Sequence, residues 1–187
     1  MALYLIRHGE TAWAREHRHT GTTDIPLTAK GEEQARELIS KLKGVEFARV
    51  LTSPMQRARL TAELTGVRPT AEIAALLMEF NYGEYEGLTS AKIRESRPDW
   101  DLWRDGCPGG ESPQQALERS RRLLEELDPQ DDQNYALFAH GHLLRAVAVA
   151  YLGLSVDLCR HLMLRVASIS ILSYEQQIPA IDVWDLT

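Results

Sequence analysis

At 187 residues, 44% of them hydrophobic and 26% charged, the chain has the length and composition of one soluble globular domain with a substantial buried core. A formal net charge of −6 with no block of Lys and Arg argues against a nucleic-acid partner, though a local cluster of Arg could still hold a small anion. No apolar run approaches the ~20 residues that span a bilayer, and Cys107 and Cys159 make neither a zinc spacing nor a disulfide framework.

The opening residues, Met1 to His8, lack a basic leader and meet charge too early for a signal peptide, so a cytoplasmic protein with reduced thiols is expected. Leu3 to Ile6 is a short apolar run, read as a buried strand. After Leu27-Thr28, Ala35, Leu38, Ile39 and Leu42 recur at helical spacing. Phe47 to Leu51 reads as the next strand. Ser53-Pro54-Met55-Gln56 then predicts a helix start, with Ser as N-cap, Pro as first residue and Gln closing a capping box. Thr70 to Ile73 is a further strand candidate.

Residues 80–111 are rich in Gly, Trp, Tyr and charge, with a short helix predicted around Ser90 to Arg97; they read as an excursion over one end of the sheet. Ser112-Pro113-Gln114-Gln115 repeats the helix-start signature, Ala116, Leu123, Leu124 and Leu127 supply the buried stripe, and Asp128-Pro129 ends that helix. Tyr135 to Ala139 is a strand. Leu143 to Leu152 is apolar almost all round, as an interior helix would be. Ile169 to Tyr174 and Ala180 to Trp184 are expected to close the sheet as a hairpin or as edge strands. The alternation of strand and helix predicts an α/β three-layer sandwich, with a mainly parallel central sheet, helices on both faces and residues 1–187 in one domain.

In such sheets ligands bind beyond the carboxyl ends of the strands. The first strand runs into Arg7-His8-Gly9-Glu10-Thr11, the second into Thr52-Ser53-Pro54 with Arg57 just beyond, and the Tyr135 to Ala139 strand into His140-Gly141-His142. Arg57 in the first turn of a helix opposes the helix dipole, which makes sense if an anion sits there. Taken alone, Arg57 is an ordinary surface arginine, and His8 and His140 are ordinary strand-end histidines. Together, two His that each precede Gly, beside two Arg, describe a phosphate cradle with a nucleophile in it.

These residues resemble the histidine phosphatase superfamily, whose members include the cofactor-dependent phosphoglycerate mutases. Arg7-His8-Gly9-Glu10-Thr11 is similar to its first motif and Thr52 to Ala58 to its second. Glu79 stands where the family has its acid, and Ala139-His140-Gly141-His142 is similar to its last motif. The resemblance implies a phosphoglycerate mutase-like fold, with His8 as the nucleophile and Arg7, Arg57 and His140 holding the phosphoryl oxygens. Gly141 and His142 would join substrate binding. Physics supports these roles: phosphoryl transfer needs charge stabilisation on three equatorial oxygens, Arg offers a planar fork of donors, and nearby Arg keeps a histidine neutral. Glu79 lies among Leu76, Leu77, Met78 and Phe80, neighbours that suit a carboxyl able to carry a proton as general acid. Where many members carry Asn this chain has Ala14, and Thr20 with the Gly21 backbone is the expected substitute.

Mutases of this family usually place Arg directly after the acid, and here that residue is Phe80, which favours hydrolysis. The segments around Tyr82 to Gly87 and Trp103 to Cys107 look most like phosphatases that include sedoheptulose 1,7-bisphosphatases and broad acid phosphatases. Trp100 and Trp103 are then candidate pocket walls, though hydrophobic packing is their simpler reading. Arg104 could bind a second phosphate or pair with a neighbouring acid. The expected ligand is a small phosphorylated substrate, with no metal and no other cofactor; oligomeric state is open, a homodimer being one option. Two other readings differ in class. A metal-dependent hydrolase could use His17, His19, His140 and His142, but HExxH and CxxC are lacking. A silent phosphate-binding module would be expected to lose His8 or Glu79.

Overall fold

The computed structural model describes residues 1–67, 71–128 and 133–187. The chain runs β1 (Ala2–Arg7), α1 (Ala12–Arg15), α2 (Ala29–Leu42), β2 (Arg49–Thr52), α3 (Gln56–Thr65), β3 (Glu72–Ile73), α4 (Ser90–Ser96) and α5 (Leu102–Asp105). It continues through α6 (Pro113–Leu127), β4 (Asn134–Ala139), α7 (Gly141–Tyr151), β5 (Ile169–Glu175) and β6 (Ile178–Leu186). The strands form one sheet in the order β3-β2-β4-β1-β5-β6. The pairs β3–β2, β2–β4 and β4–β1 are parallel, and the expected terminal hairpin, β5–β6, joins β1 antiparallel.

The central strands are buried on both faces, which is why β1 and β4 read as continuous apolar runs rather than as an alternation. Leu3, Leu5 and Leu137 pack with Leu123, Leu143 and Val147 of α6 and α7 on one face. Ile6, Val50 and Phe138 pack with Leu38, Leu42 and Ala62 of α2 and α3 on the other. This is the α/β sandwich predicted from the alternation. Register sets the site: Phe138 pairs with both Ile6 and Thr52, so the residues that follow β1, β4 and β2 emerge side by side.

Several local expectations need correction. Ser53 does not cap α3, which starts at Gln56 with Met55 as an N-cap that makes no side-chain bond. The Ser53 hydroxyl is engaged with His140 at 2.8 Å, and α3 is capped instead by Asp24, whose Oδ1 accepts from Gln56 N at 2.9 Å. In α2 the stripe holds, with Thr28 as N-cap, but Ile39 is 48% exposed. The capping box at Ser112 is present, Leu124 is only partly buried, and Asp128 ends α6 at a left-handed φ of 41°. Thr70 and Pro129 lie outside the described residues, and β3 is Glu72–Ile73 alone. The 80–111 excursion carries α4 and α5 and builds its own core, in which Phe80, Tyr82, Trp100 and Trp103 pack against Leu117, Ala146 and Val149. Among the described residues no helix is long and apolar enough to cross a membrane.

Candidate active site

His8 leaves the end of β1 with its backbone pinned on both sides. Its N–H donates to Ala139 O at 3.0 Å, and its carbonyl accepts from Ala167 N at 3.0 Å. The ring lines a cavity of about 230 Å³ at the carboxyl end of the sheet. Its Nδ1 lies 2.7 Å from Gly9 O. A carbonyl can only accept, so the neutral ring carries its proton on Nδ1 and Nε2 keeps the lone pair. Burial, then the charges of Arg57 and Arg7, hold the His8 pKa well below 6.5, so the ring is neutral at pH 7.

Arg7 lines the same cavity and donates from Nη1 to Leu164 O, while its buried Nε has no hydrogen-bond partner. Its guanidinium lies against Gly141, where a Cβ would come within 3.0 Å of Arg7 Cζ. Gly141 therefore makes room for the arginine. The glycine after His8 has a similar task but a different neighbour: a Cβ on Gly9 would meet Gly31 O of α2 at 2.2 Å. Glu10 and Thr11 of the first motif are structural. Glu10 O accepts from Thr28 N at the start of α2, and the Thr11 hydroxyl caps α1.

Arg57 and His140 stand behind His8, fully buried and outside the cavity lining. Arg57 donates from Nη1 to Thr23 O and from Nη2 to Thr20 O and Gly21 O, at 2.9 to 3.1 Å. Its Nε donates to His140 Nδ1 at 3.2 Å, and His140 Nε2 reaches Ser53 Oγ at 2.8 Å. Both His140 nitrogens are thus engaged by protein. The ring meets His8 edge-on with centroids 5.2 Å apart, and burial, then Arg57, holds its pKa well below 6.5.

Glu79 lines the cavity, but its surroundings are not the apolar ones its sequence neighbours suggested. Oε1 accepts from Leu143 N at 2.8 Å and Phe80 N at 2.9 Å, and Oε2 accepts from His142 N at 3.1 Å. Two of these donors belong to the first turn of α7, so the start of that helix fixes where the carboxyl group stands in the cavity.

Of the other expected residues, Thr20, Gly141 and His142 line the cavity and Gly21 does not. The Gly21 N–H is taken by Glu86, with Oε1 at 2.9 Å and Oε2 at 3.1 Å. Ala14 lines the wall. Trp100 and Trp103 are core residues: Trp103 packs edge-on behind His142 and Trp100 behind His19. Arg104 is bonded to Asp105 and Asp99 O, away from the cavity. The walls are completed by His17, Arg18, His19, Tyr82, Ser90 and Arg145. Sequence reasoning missed Arg145, although a lone cation in the otherwise apolar α7 was a readable signal. Tyr82 OH meets His142 Nδ1 at 2.5 Å, which leaves His142 Nε2 unengaged by that contact.

Comparison with known proteins places the chain in a family. Residues 3–187 match the histidine phosphatase superfamily (branch 1). An acid phosphatase of Mycobacterium tuberculosis is 39% identical over 99% of this chain and 92% of its own length. A sedoheptulose 1,7-bisphosphatase of Saccharomyces cerevisiae is 34% identical over 82% of this chain and 68% of its own length. A probable phosphoglycerate mutase of Shigella boydii is 33% identical over 98% of this chain and 90% of its own length. Among solved structures, an open-reading-frame product of M. tuberculosis superposes with a TM-score of 0.93 at 38% identity, covering 100% of this chain and 97% of that one. A mycobacterial glucosyl-3-phosphoglycerate phosphatase in complex with VO3 superposes at 0.89 and 30% identity, covering 100% and 99%. The chain belongs to the histidine phosphatase superfamily, branch 1.

Proposed function

We propose that the protein hydrolyses small phosphomonoesters through a phosphohistidine on His8, as a sugar phosphatase or bisphosphatase or a broad acid phosphatase of the cytoplasm, without a metal. The observation that carries this is the state of His8. Gly9 O fixes the proton on Nδ1, and burial, then the neighbouring Arg57 and Arg7, keeps the ring neutral, so Nε2 offers a lone pair inside a positively charged cavity.

In the first step Nε2 attacks phosphorus in line, the N–P bond forms and the bond to the ester oxygen breaks. Glu79 delivers a proton to the leaving oxygen. In the second step it takes a proton from the water that attacks the phosphohistidine, so inorganic phosphate leaves and the enzyme is restored. Arg7, which lines the cavity with its guanidinium packed on Gly141, binds the transferred phosphoryl oxygens. Arg57 gives its donors to four acceptors, fixes the 20–23 loop and sets a positive charge behind His8 that favours the transferred phosphoryl group from outside the cavity lining. His140 orients Arg57 and packs on His8. Hydrolysis rather than mutase transfer is favoured because Phe80, at the position after the acid, is buried in the excursion core and offers no charge to a substrate carboxylate.

The test is phosphate release from p-nitrophenyl phosphate, phosphoglycerates, mononucleotides and sugar mono- and bisphosphates, all in EDTA. His8→Ala is expected to lose turnover by about 10³-fold or more with an unchanged circular dichroism spectrum. Retained turnover in that variant, or no turnover of any ester in EDTA by the parent protein, would overturn the reading.

A further inference from the structure

We propose that His17 is a specificity-determining residue at the mouth of the cavity, where its imidazole hydrogen-bonds a hydroxyl on the leaving-group side of the substrate. This rests on the phosphatase reading above and adds a substrate contact at the open end of the same cavity. The first observation is in the backbone. His17 has a φ of 57°, in the left-handed region that L side chains enter at a steric cost and glycine enters freely. The stop of α1 is what requires it. His17 N donates to Ala14 O at 3.2 Å and Arg18 N donates to Trp13 O at 2.9 Å, the paired bonds of a helix end whose left-handed position is usually glycine. Glycine would close this turn without strain, so what the position gains from histidine is the ring.

The second observation is where that ring stands. Among the residues that line the cavity His17 alone is exposed, whereas His8, Glu79 and Gly141 are buried. His8 therefore marks the floor and His17 the mouth. In-line displacement puts the leaving oxygen on the far side of phosphorus from His8 Nε2, so the rest of the substrate extends from floor to mouth. The other histidines of the lining are held by the protein: His8 by Gly9 O, His19 by Ser90 Oγ at 3.3 Å, and His142 by Tyr82. The His17 ring makes no hydrogen bond or ion pair with a described residue. In either protonation state it offers an N–H donor.

The turn that carries the ring is anchored on both sides. After it, Arg18 bridges Thr89, His19 N donates to Leu88 O at 2.8 Å, and Gly87 N donates to His19 O at 2.8 Å. Before it, the Trp13 ring lies under Arg18 and against Gly87, where a Cβ would come within 3.0 Å of the indole. The backbone thus holds His17 at the mouth before any substrate arrives, which lowers the ordering cost of a contact there. Among the lining residues Ala14 has the only aliphatic side chain. An apolar leaving group finds no matching surface in this cavity, whereas a hydroxylated one meets the His17 imidazole on its way out.

The experiment compares kcat/KM within two pairs matched for size. Glycerol 1-phosphate is set against propyl phosphate, and glucose 6-phosphate against cyclohexylmethyl phosphate, with p-nitrophenyl phosphate as reference. The parent protein is expected to prefer the hydroxylated member of at least one pair. In His17→Gly that preference should shrink by about 3- to 10-fold, the worth of one neutral hydrogen bond. The thermal midpoint of the same variant should rise by about 2–4 °C as the turn loses its strain. His17→Ala, which keeps a Cβ at the left-handed φ, should lose the preference without the rise. His17→Asn, which tolerates that φ and carries an amide donor, should recover part of the preference. A residue with a purely structural role would move the midpoint and leave the preference untouched. No preference in the parent, or an unchanged preference or a lower midpoint in His17→Gly, would overturn the specificity role, while turnover of p-nitrophenyl phosphate left the phosphatase reading standing. Absence of turnover on all five esters would overturn both.

Discussion

Arg7 and Arg57, similar in sequence setting, are used differently. Arg7 lines the cavity with its guanidinium packed on Gly141, whereas Arg57 spends most of its donors on the carbonyls of Thr20, Gly21 and Thr23. A buried guanidinium satisfied by backbone carbonyls keeps its charge beside the nucleophile and also fixes a loop of the wall. Glu79 is the second case. Its carboxylate accepts three backbone N–H bonds, so an amide at this position must turn its NH₂ group toward at least one of those donors. Glu79→Gln is therefore expected to lose both proton transfer and local fit. The loss in kcat should be about 10²-fold or more on alkyl phosphates and clearly smaller on p-nitrophenyl phosphate, whose leaving group needs no proton. Equal losses on the two would count against the proton-transfer role. His8 and Arg7 were legible because a residue next to a buried strand end has little freedom in where it emerges. The Gly21 backbone was misjudged because its partner, Glu86, lies 65 residues away.

Helix starts show what local sequence can and cannot decide. Ser112 caps α6 with the full capping box, since nothing else competes for its hydroxyl. Ser53 has the same local signature, but His140 takes its hydroxyl and Asp24 caps α3 from outside. A second long-range tie carries Glu79. From α6, Arg119 donates to Leu76 O at 2.8 Å and Met78 O at 2.7 Å, and it pairs with Glu111 at 2.7 Å. It thereby holds the segment that delivers the carboxylate to α7. Arg119→Met would strand Glu111, 13% exposed, without its cation. The expected cost is about 3 kcal/mol in urea unfolding. As a positioning residue Arg119 should also mimic Glu79→Gln, with kcat falling more on alkyl than on aryl esters, and Arg119→Lys should restore part of both. A stability loss with no leaving-group dependence would make its role purely structural.

For the whole molecule, the concentration of neutral histidines around one cavity links stability to pH. Burial, aided by neighbouring Arg, holds His8, His140 and His142 well below 6.5, and burial holds His19 at about 4. In the unfolded chain each would titrate near 6.5, so below that pH the unfolded state binds more protons and stability falls as pH drops. The thermal midpoint is expected to decline steadily from about pH 7 to about pH 5; a flat or rising midpoint across that window would contradict it. What the sequence determined by itself was the alternation of strand and helix, the order of the motifs, and the placing of Arg7, His8 and His140 at the ends of buried strands. Each follows from periodicity or from covalent neighbours. Only the tertiary structure decided which groups face the cavity and which stand behind it. Arg145 against Arg104, Tyr82 against Trp103, and Thr20 against Gly21 differ in contacts made across the sheet end. Those contacts depend on how layers distant in sequence pack and on which buried donors find partners.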